Sequence, residues 1–208
     1  MVFWVRAQSQ RLIAPGVRLS KIPSPSDVDW PAGTVFTVGH STLPIEQFMA
    51  LIAAYGIERL ADVRTIPRSR RNPQFNADAL GASLRTEGID YVPLGELGGL
   101  RKPLPNSPNT GWRNESFRGY ADYMQTERFA HGLEHLIELS RERRTAIMCA
   151  EAVPWRCHRS LVADALTARG IGVVEILSET SYHDHALTAF ARIAGTTVTY
   201  PPAQTQLL

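Results

Sequence analysis

The chain has 208 residues, 44% of them hydrophobic and 20% charged, which is typical of one globular domain with a sizeable core. Its formal net charge of +2 is too small to indicate nucleic-acid binding by itself, and two cysteines are too few for a disulfide framework. The N-terminus is apolar for only five residues before Arg6, which excludes a signal peptide, and no apolar run approaches the roughly 20 residues of a membrane span. We therefore expect a cytoplasmic protein.

Prolines and glycines divide the chain into three parts. Residues 1–32 are expected to form an N-terminal extension, because five such residues leave little room for a long helix. These residues are Pro15, Gly16, Pro23, Pro25 and Pro31. We place an α/β domain over residues 33–195 and a loosely held tail over residues 196–208.

Strands and helices alternate along the predicted domain. Short apolar runs predict strands over residues 34–39, 57–63, 89–94, 146–148 and 171–177. Helical spacing predicts helices over residues 45–56, 77–88, 117–126, 127–144, 159–170 and 183–193. Such alternation predicts a single three-layer α/β domain, rhodanese-like or doubly wound, with a mostly parallel sheet flanked by helices.

The first of these helices carries the clearest signals. Ser41 or Thr42 is the expected N-cap, and Gly56 is the expected C-terminal cap. Apolar residues recur at helical spacing, at Ile45, Phe48, Met49 and Ile52. This pattern predicts one face packed on the sheet.

Reactive side chains follow the ends of the predicted strands. The loop Cys149–Arg159 holds both cysteines, one glutamate, one histidine and two arginines, between a strand and a helix. Ligands bind at such strand ends in open α/β sheets, and the helix start favours anions. Right-handed crossovers would bring the strand ends at Gly39, Asp62 and Cys149 to one edge. This arrangement would gather His40, Arg64, Arg68 and the cysteine loop in one pocket.

Cys149 has two interpretations. A thiol becomes a nucleophile when cations or a helix N-terminus lower its pKa. Nearby cations that could do so are Arg64, Arg156, His158 and Arg159. A buried structural role is equally common for cysteine, and Glu151 would oppose thiolate formation.

The remaining residues of the loop have alternatives of their own. Glu151 is either a general base or, as we favour, the carboxylate that orients an arginine. His158 is a proton donor or a packing residue. Arg159 is the best anion ligand by residue type. A Cys149–Cys157 disulfide is possible, whereas the spacing matches no zinc pattern, so we predict no metal and no cofactor.

The segment Arg64–Arg71 is the second strong feature. It carries four arginines, Arg64, Arg68, Arg70 and Arg71. The preceding strand end and the prolines Pro67 and Pro73 fix the backbone, which favours a shaped anion site over a solvated charge run. A long connection, residues 93–119, adds basic and aromatic residues of the kind that bind single-stranded nucleic acid or nucleotides. These are Trp112, Arg113, Phe117, Arg118 and, just beyond, Tyr120.

Several motifs together carry a family resemblance. They are VGHS at residues 38–41, DVRTIPRSR at 62–70, LGG at 97–99, and CAE with CHR at 149–151 and 157–159. They resemble the domain-of-unknown-function 488 family over roughly Thr34 to Ile193. The resemblance supplies no reaction, but it implies which residues occupy the motif positions of the family. These are His40, Ser41, Asp62, Arg64, Pro67, Ser69, Arg70, Glu151, Cys157, His158 and Arg159.

A fainter resemblance is to the cysteine loops of rhodaneses and phosphatases. DVR after a strand, and a strand that ends in Cys149, are similar to a rhodanese domain. The loop here is longer than the anion cradle of those enzymes, lacks glycine and contains Pro154. These departures argue against sulfur transfer or phosphate-ester cleavage by Cys149.

The leading hypothesis is an intracellular enzyme that acts on an anionic, phosphate-bearing substrate, such as a nucleotide or nucleic acid. Glu151 and His158 would be the acid–base residues and Cys149 the nucleophile. The substrate ligands would be His40, Ser41, Asp62, Arg64, Arg68, Ser69, Arg70, Cys157 and Arg159. Replacing Arg159 with alanine should then abolish ligand binding and leave the fold intact.

Three alternatives remain. The first is a nucleic-acid-binding module without turnover, which predicts strongly salt-dependent binding. The second is rhodanese-like sulfur or phosphate chemistry at Cys149. The third is a buried ion-pair network of Asp62, Glu151 and the arginines that only holds the loop in place.

Overall fold

A six-stranded sheet forms the centre of the molecule. The computed structural model describes Pro25 and residues 28–202. The strands are β1 (Val35–Gly39), β2 (Arg59–Asp62), β3 (Asp90–Pro93), β4 (Thr145–Cys149), β5 (Val173–Ser178) and β6 (Ser181–Asp184). Their order is β3-β2-β4-β1-β5-β6, with the first five parallel and β6 antiparallel to β5. The predicted α/β class with a mostly parallel sheet is confirmed.

Helices cover both faces of this sheet. They are α1 (Ile45–Ala53), α2 (Ala77–Thr86), α3 (Glu115–Tyr123), α4 (Glu127–Glu142) and α5 (Arg159–Thr167). Buried residues of α1 and α2 form one core cluster with Phe36 and Val38 of β1. Buried residues of α3, α4 and α5 form the other, with Val35. Every residue of β1 is buried because a central parallel strand is covered on both faces.

The first helix differs in detail from its predicted pattern. Phe48 and Ile52 are buried, whereas Ile45 and Met49 are only partly covered. Pro44 stands at the N-cap without a side-chain hydrogen bond, so the predicted cap by Ser41 or Thr42 is wrong. Proline suits a helix start because its fixed φ is already helical and it has no N–H to satisfy.

The C-terminal part differs most from expectation. The predicted helix over residues 183–193 is wrong, because this stretch runs from β6 through a loop into β7 (Arg192–Ala194). β7 pairs with β8 (Thr197–Thr199) in a two-stranded sheet. The prediction of a loosely held tail is wrong for residues 196–202, since Tyr200 is fully buried and donates a hydrogen bond from its hydroxyl to Asp164 at 2.7 Å. The remaining tail residues lie outside the described part.

The predicted domain boundaries stay predictions. Most of the N-terminal extension lies outside the described residues, although Trp30 packs edge-on against Phe36 and Tyr182. Within the described residues, no helix is long and apolar enough to cross a membrane.

Candidate functional site

The carboxyl ends of three strands lie side by side. Gly39 pairs in register with Cys149, and Asp62 pairs with Met148. The cysteine loop then lies across the end of β1, where His40 N donates to the Cys149 carbonyl at 3.0 Å. A Cβ atom at Gly39 would lie 1.8 Å from the Glu151 carbonyl oxygen, so only glycine permits this approach.

Asp62 and Arg64 form a buried ion pair at the end of β2. Arg64 donates from Nε to Asp62 Oδ1 at 2.8 Å and from Nη2 to the Phe75 carbonyl at 2.8 Å. Tyr91 donates from its hydroxyl to Asp62 Oδ2 at 2.7 Å, and burial together with this hydrogen bond raises the Tyr91 pKa. Asp62 therefore neutralises Arg64, as the ion-pair alternative expected of this residue, and its role as a substrate ligand stays a prediction.

His40 is a neutral acceptor for Arg64. Its Nδ1 donates to the Ser41 carbonyl at 2.9 Å, which leaves Nε2 to accept from Arg64 Nη1 at 3.3 Å. Burial, followed by the charge of Arg64, lowers the His40 pKa to about 4. Its ring stacks on Phe75 with the centroids 4.1 Å apart. His40 and Ser41 thus fix the strand end and are not among the residues that line the pocket described below.

Arg159 occupies the space between β1 and the cysteine loop, and it is only 1% exposed. Its Nε donates to Cys149 Sγ at 3.0 Å, Nη1 to Thr37 Oγ1 at 3.2 Å, and Nη2 to the Glu151 carbonyl at 2.7 Å. Three protein acceptors hold the guanidinium, and Arg159 is not among the residues that line the cavity described below. The prediction that Arg159→Ala would abolish ligand binding and leave the fold intact stays a prediction.

Cys157 and His158 form a hydrogen-bonded pair. The sulfur lies 3.6 Å from His158 Nδ1, and His158 Nε2 lies 3.0 Å from the Val63 carbonyl oxygen. A carbonyl only accepts, so Nε2 carries a proton. Nδ1 is then free to accept the Cys157 proton, or to return it after transfer.

The two thiols have pKa values that are shifted in opposite directions. Cys149 and Cys157 are free and buried. The interaction with the Cys149 side chain lowers the Cys157 pKa, and His158 and Arg159 lower it further. Burial, followed by the interaction with Cys157, raises the Cys149 pKa. These directions make Cys157 the thiol that ionises first, whereas a nucleophilic role for Cys149 stays a prediction.

Both sulfurs border a cavity of about 300 Å³ at this sheet edge. Its apolar walls come from the loops after β2 and β3 and from α3, and the polar groups converge on the thiols. The apolar residues are Ile66, Leu100, Phe117 and Tyr120, and the charged or titratable ones are Arg64, Glu151, Arg156 and His158. A small apolar cleft with a few convergent polar groups is the usual form of a ligand site.

Comparison with known proteins agrees with the motifs in this site. The family model for Domain of unknown function DUF488 matches residues 44–166, more than half of the chain. The chain belongs to the DUF488 family. No curated protein and no solved structure matches it. The fainter likeness to rhodaneses stays a prediction, and the family description supplies no activity.

Glu151 presents its carboxylate to solvent at the rim of the cavity in this DUF488 domain. Among the described residues this carboxylate forms no hydrogen bond and no ion pair, so the favoured prediction that it orients an arginine is wrong. Its backbone carbonyl holds Arg159 instead. A role as general base stays a prediction.

The rest of the arginine segment lies outside the cavity. Arg68 and Arg70 are exposed and are not among the lining residues. Ser69 shapes the loop, because its N–H donates to Asn76 Oδ1 at 2.7 Å and its hydroxyl accepts from Asn72 N at 3.0 Å. These three residues therefore do not form the anion site that the sequence predicted, although the arginines remain available on the surface.

Sequence reasoning missed several contributors to the site. Thr37 is a polar residue in a strand that is buried on both faces. A buried hydroxyl needs a hydrogen-bond partner, so the sequence indicated that a polar side chain contacts Thr37. The carbonyl of Val63, which fixes the His158 ring, leaves no signal because every residue has a carbonyl. Ile66 and Leu100 are exposed hydrophobic residues whose meaning depends on the cavity beside them.

Proposed function

We propose that this protein is a thiol-dependent enzyme that acts on an anionic, phosphate-bearing substrate, with Cys157 as the nucleophile. The observation that carries the proposal is the contact between Cys157 and His158 Nδ1 at 3.6 Å, with Nε2 held on the Val63 carbonyl. A nucleophile beside a base that a third group orients is the general signature of covalent catalysis.

The positive charge of Arg159 favours ionisation of the Cys157 thiol beside His158. A buried guanidinium stays protonated, and among the described residues no carboxylate lies within ion-pair distance of it. The nearest anionic partner that the site can form is a thiolate of the Cys149–Cys157 pair. Buried charges are stable when they are paired, so the ionised thiol and the guanidinium stabilise each other.

The reaction follows from these contacts. Cys157 transfers its proton to His158 Nδ1, and the thiolate attacks an electrophilic centre bound in the cavity. The imidazolium then donates the proton to the leaving group. Glu151, with its carboxylate at the rim, is placed to activate the water that releases the covalent intermediate.

The charges around the cavity favour an anionic ligand. Arg156 lines it with a guanidinium that has no carboxylate partner among the described residues, and His158 adds a positive charge when it takes the Cys157 proton. The single acidic residue of the lining is Glu151. Phe117 and Tyr120 add aromatic walls that suit a flat ring. A nucleotide or a nucleic-acid end combines both features.

Alkylation with iodoacetamide across pH tests the nucleophile. Trypsin separates the two cysteines, since cleavage after Arg156 leaves one on peptide 145–156 and the other on peptide 157–159. We expect Cys157 to react with an apparent pKa well below the reference value of about 8.5. His158→Gln should raise that pKa, whereas His135→Gln, on the exposed face of α4, should not. Preferential alkylation of Cys149, or no effect of His158→Gln, would contradict the assignment.

Protection from alkylation tests the substrate class. A mixture of nucleoside monophosphates should slow the alkylation of Cys157, and the matching uncharged nucleosides should not. Arg156→Gln should weaken the protection several-fold; this variant lacks the cleavage site between the cysteines, so the label is located by fragmentation of peptide 145–159. Arg85→Gln, on the exposed face of α2, should leave the protection unchanged. Equal protection by the nucleosides would show that the cavity does not recognise a phosphate group, which contradicts the proposed substrate class.

A second candidate is a nucleic-acid-binding module without turnover. It is favoured by the exposure of Trp155, 63%, beside Arg156 in the cysteine loop, and by the exposed Arg68 and Arg70. Exposed aromatic rings among arginines bind single strands by stacking and phosphate contacts. A labelled oligonucleotide should then bind with a steep salt dependence, and Trp155→Ala should weaken it about tenfold, from a stacking energy of about 1–3 kcal/mol per base. Binding that is insensitive to Trp155→Ala would exclude this candidate.

A further inference from the structure

Two thiols border the same cavity. Cys149 is 3% exposed and Cys157 is 4% exposed, and Arg159 Nε lies 3.0 Å from the Cys149 sulfur. Both border the same cavity, so a small oxidant that reaches one reaches the neighbourhood of the other. The proposed reaction uses only Cys157, which leaves a role for Cys149 open.

We propose that Cys149 is the resolving thiol of Cys157, so that oxidation of the nucleophile ends in a Cys149–Cys157 disulfide. The inference rests on the proposed function, because it requires Cys157 to be the more reactive thiolate. Cys149 lines the same cavity as the reacting sulfur, and in this role it takes part in the chemistry itself.

The first step consumes a hydroperoxide. The Cys157 thiolate attacks one peroxide oxygen, a sulfur–oxygen bond forms and the oxygen–oxygen bond breaks. The leaving alkoxide, or hydroxide from hydrogen peroxide, takes the proton held at His158 Nδ1. The products are Cys157 sulfenic acid and an alcohol or water.

The second step consumes the sulfenic acid. The Cys149 sulfur attacks the Cys157 sulfur, a sulfur–sulfur bond forms and the sulfur–oxygen bond breaks. The hydroxyl group leaves as water with the proton of the Cys149 thiol. Over the two steps the two cysteines lose two electrons to the peroxide, and a dithiol reductant restores them by exchange.

Arg159 makes the oxidised form easy to reduce. The disulfide carries no charge, so oxidation removes the anion that faces the buried guanidinium. Among the described residues no carboxylate replaces that anion within ion-pair distance of Arg159. Stabilisation of the reduced state over the oxidised state makes a disulfide more oxidising, and therefore more readily reduced.

Peptide mass analysis tests the inference on the complete wild-type protein. The reduced protein is treated with an equimolar amount of hydrogen peroxide, the remaining thiols are alkylated, and the product is digested with trypsin. We expect peptides 145–156 and 157–159 to appear joined as the main oxidised species, and to separate after treatment with dithiothreitol. Over-oxidation of Cys157 to sulfinic acid without joined peptides would overturn the inference.

Two variants complete the experiment. In Cys149→Ser, two equivalents of hydrogen peroxide should carry Cys157 on to sulfinic acid, because no thiol intercepts the sulfenic acid. In Cys157→Ser the Cys149 thiol should remain reduced. The alkylation assay separates the two proposals. If Cys157 is reactive at low pH but no disulfide forms, the resolving role fails alone; if neither thiol reacts with iodoacetamide or peroxide, the proposed function fails as well.

Discussion

The Nε–H of Arg159 donates to the sulfur of Cys149 at 3.0 Å, in a part of the protein where both side chains are almost fully buried. This contact links the fold to the proposed chemistry. The guanidinium stabilises the negative charge that the thiol pair carries, and the same guanidinium joins β1 to the cysteine loop through Thr37 and Glu151.

Replacing Arg159 with methionine should therefore affect both stability and reactivity. We expect the free energy of unfolding to fall by about 3 kcal/mol or more, because the buried partners of the guanidinium lose their hydrogen bonds. The apparent pKa of Cys157 should rise in the alkylation assay. Arg156→Met, in the same loop but exposed, should change the unfolding free energy by no more than about 0.5 kcal/mol in urea titrations. Equal effects of the two variants would refute the role of Arg159.

The contact between β1 and the cysteine loop depends on the absence of a side chain at Gly39. Gly39→Ala would force a Cβ atom to within 1.8 Å of the Glu151 carbonyl, so the loop must move. We expect a loss of about 2 kcal/mol or more in unfolding free energy and a loss of the low Cys157 pKa. Gly95→Ala serves as the control, since its Cβ would meet nothing within 4 Å. An intact low pKa in Gly39→Ala would show that the loop does not need this approach.

A buried imidazolium lies away from the cavity. His185 lies 2.8 Å from Asp164 through Nε2 and 2.7 Å from Glu175 through Nδ1. Burial opposes the charged ring, but hydrogen bonds to the two carboxylates outweigh it and raise the His185 pKa to about 9. His183 also faces Glu175, at 3.4 Å, and the Tyr200 hydroxyl donates to Asp164.

This cluster predicts a loss of stability at alkaline pH. Because the folded-state pKa lies above the ordinary value of 6.5, the stabilisation is fully present below about pH 6.5 and is lost as pH rises through about 9. The shift corresponds to roughly 3 kcal/mol. Unfolding free energies measured in urea from pH 6 to 10 should show this fall, and His185→Gln should abolish most of it. A pH dependence that survives His185→Gln would assign the effect to another group.

Asp122 on α3 holds the connection that leads to the cavity wall. It accepts hydrogen bonds from Leu104 N at 2.8 Å, Ser107 Oγ at 2.6 Å and Asn109 Nδ2 at 2.8 Å. Asp122→Ala should lower the unfolding free energy by about 3 kcal/mol, because three donors lose a charged acceptor.

The same variant should expose the connection to protease. We expect faster tryptic cleavage after Arg101 in Asp122→Ala than in the wild-type protein. Asp29→Ala, at an exposed aspartate, is the control and should leave the cleavage rate unchanged. Equal cleavage rates in the two variants would show that Asp122 does not hold the loop.

Local patterns determined the regular part of this protein. A buried parallel strand reads as a short apolar run and a surface helix as a repeat near 3.6 residues, so β1, β4 and α4 could be predicted from their own residues. The alternation of strands and helices predicts that the strands are parallel, and parallel strands bring their carboxyl ends, at Gly39, Asp62 and Cys149, to one edge of the sheet.

In the C-terminal segment, local patterns predict the wrong secondary structure. HDHALTAFARI contains good helix formers at helical spacing, yet residues 183–193 hold strands and a loop. His185 pairs with Asp164 and Glu175, and the Tyr200 hydroxyl donates a hydrogen bond to Asp164 of α5. These contacts join residues far apart in the chain and override a weak local propensity.

Within the site, the sequence by itself determined which residue types gather at the strand ends, and the tertiary structure decided what each can do. Arg64 and Arg159 have the same side chain and both follow strands, but Asp62 neutralises the first and the thiols face the second. Cys149 and Cys157 differ in the same way, since only one of them contacts His158 Nδ1. Charge state and accessibility depend on burial and on distances of a few ångströms between side chains that are distant in sequence, and those distances exist only in the folded chain.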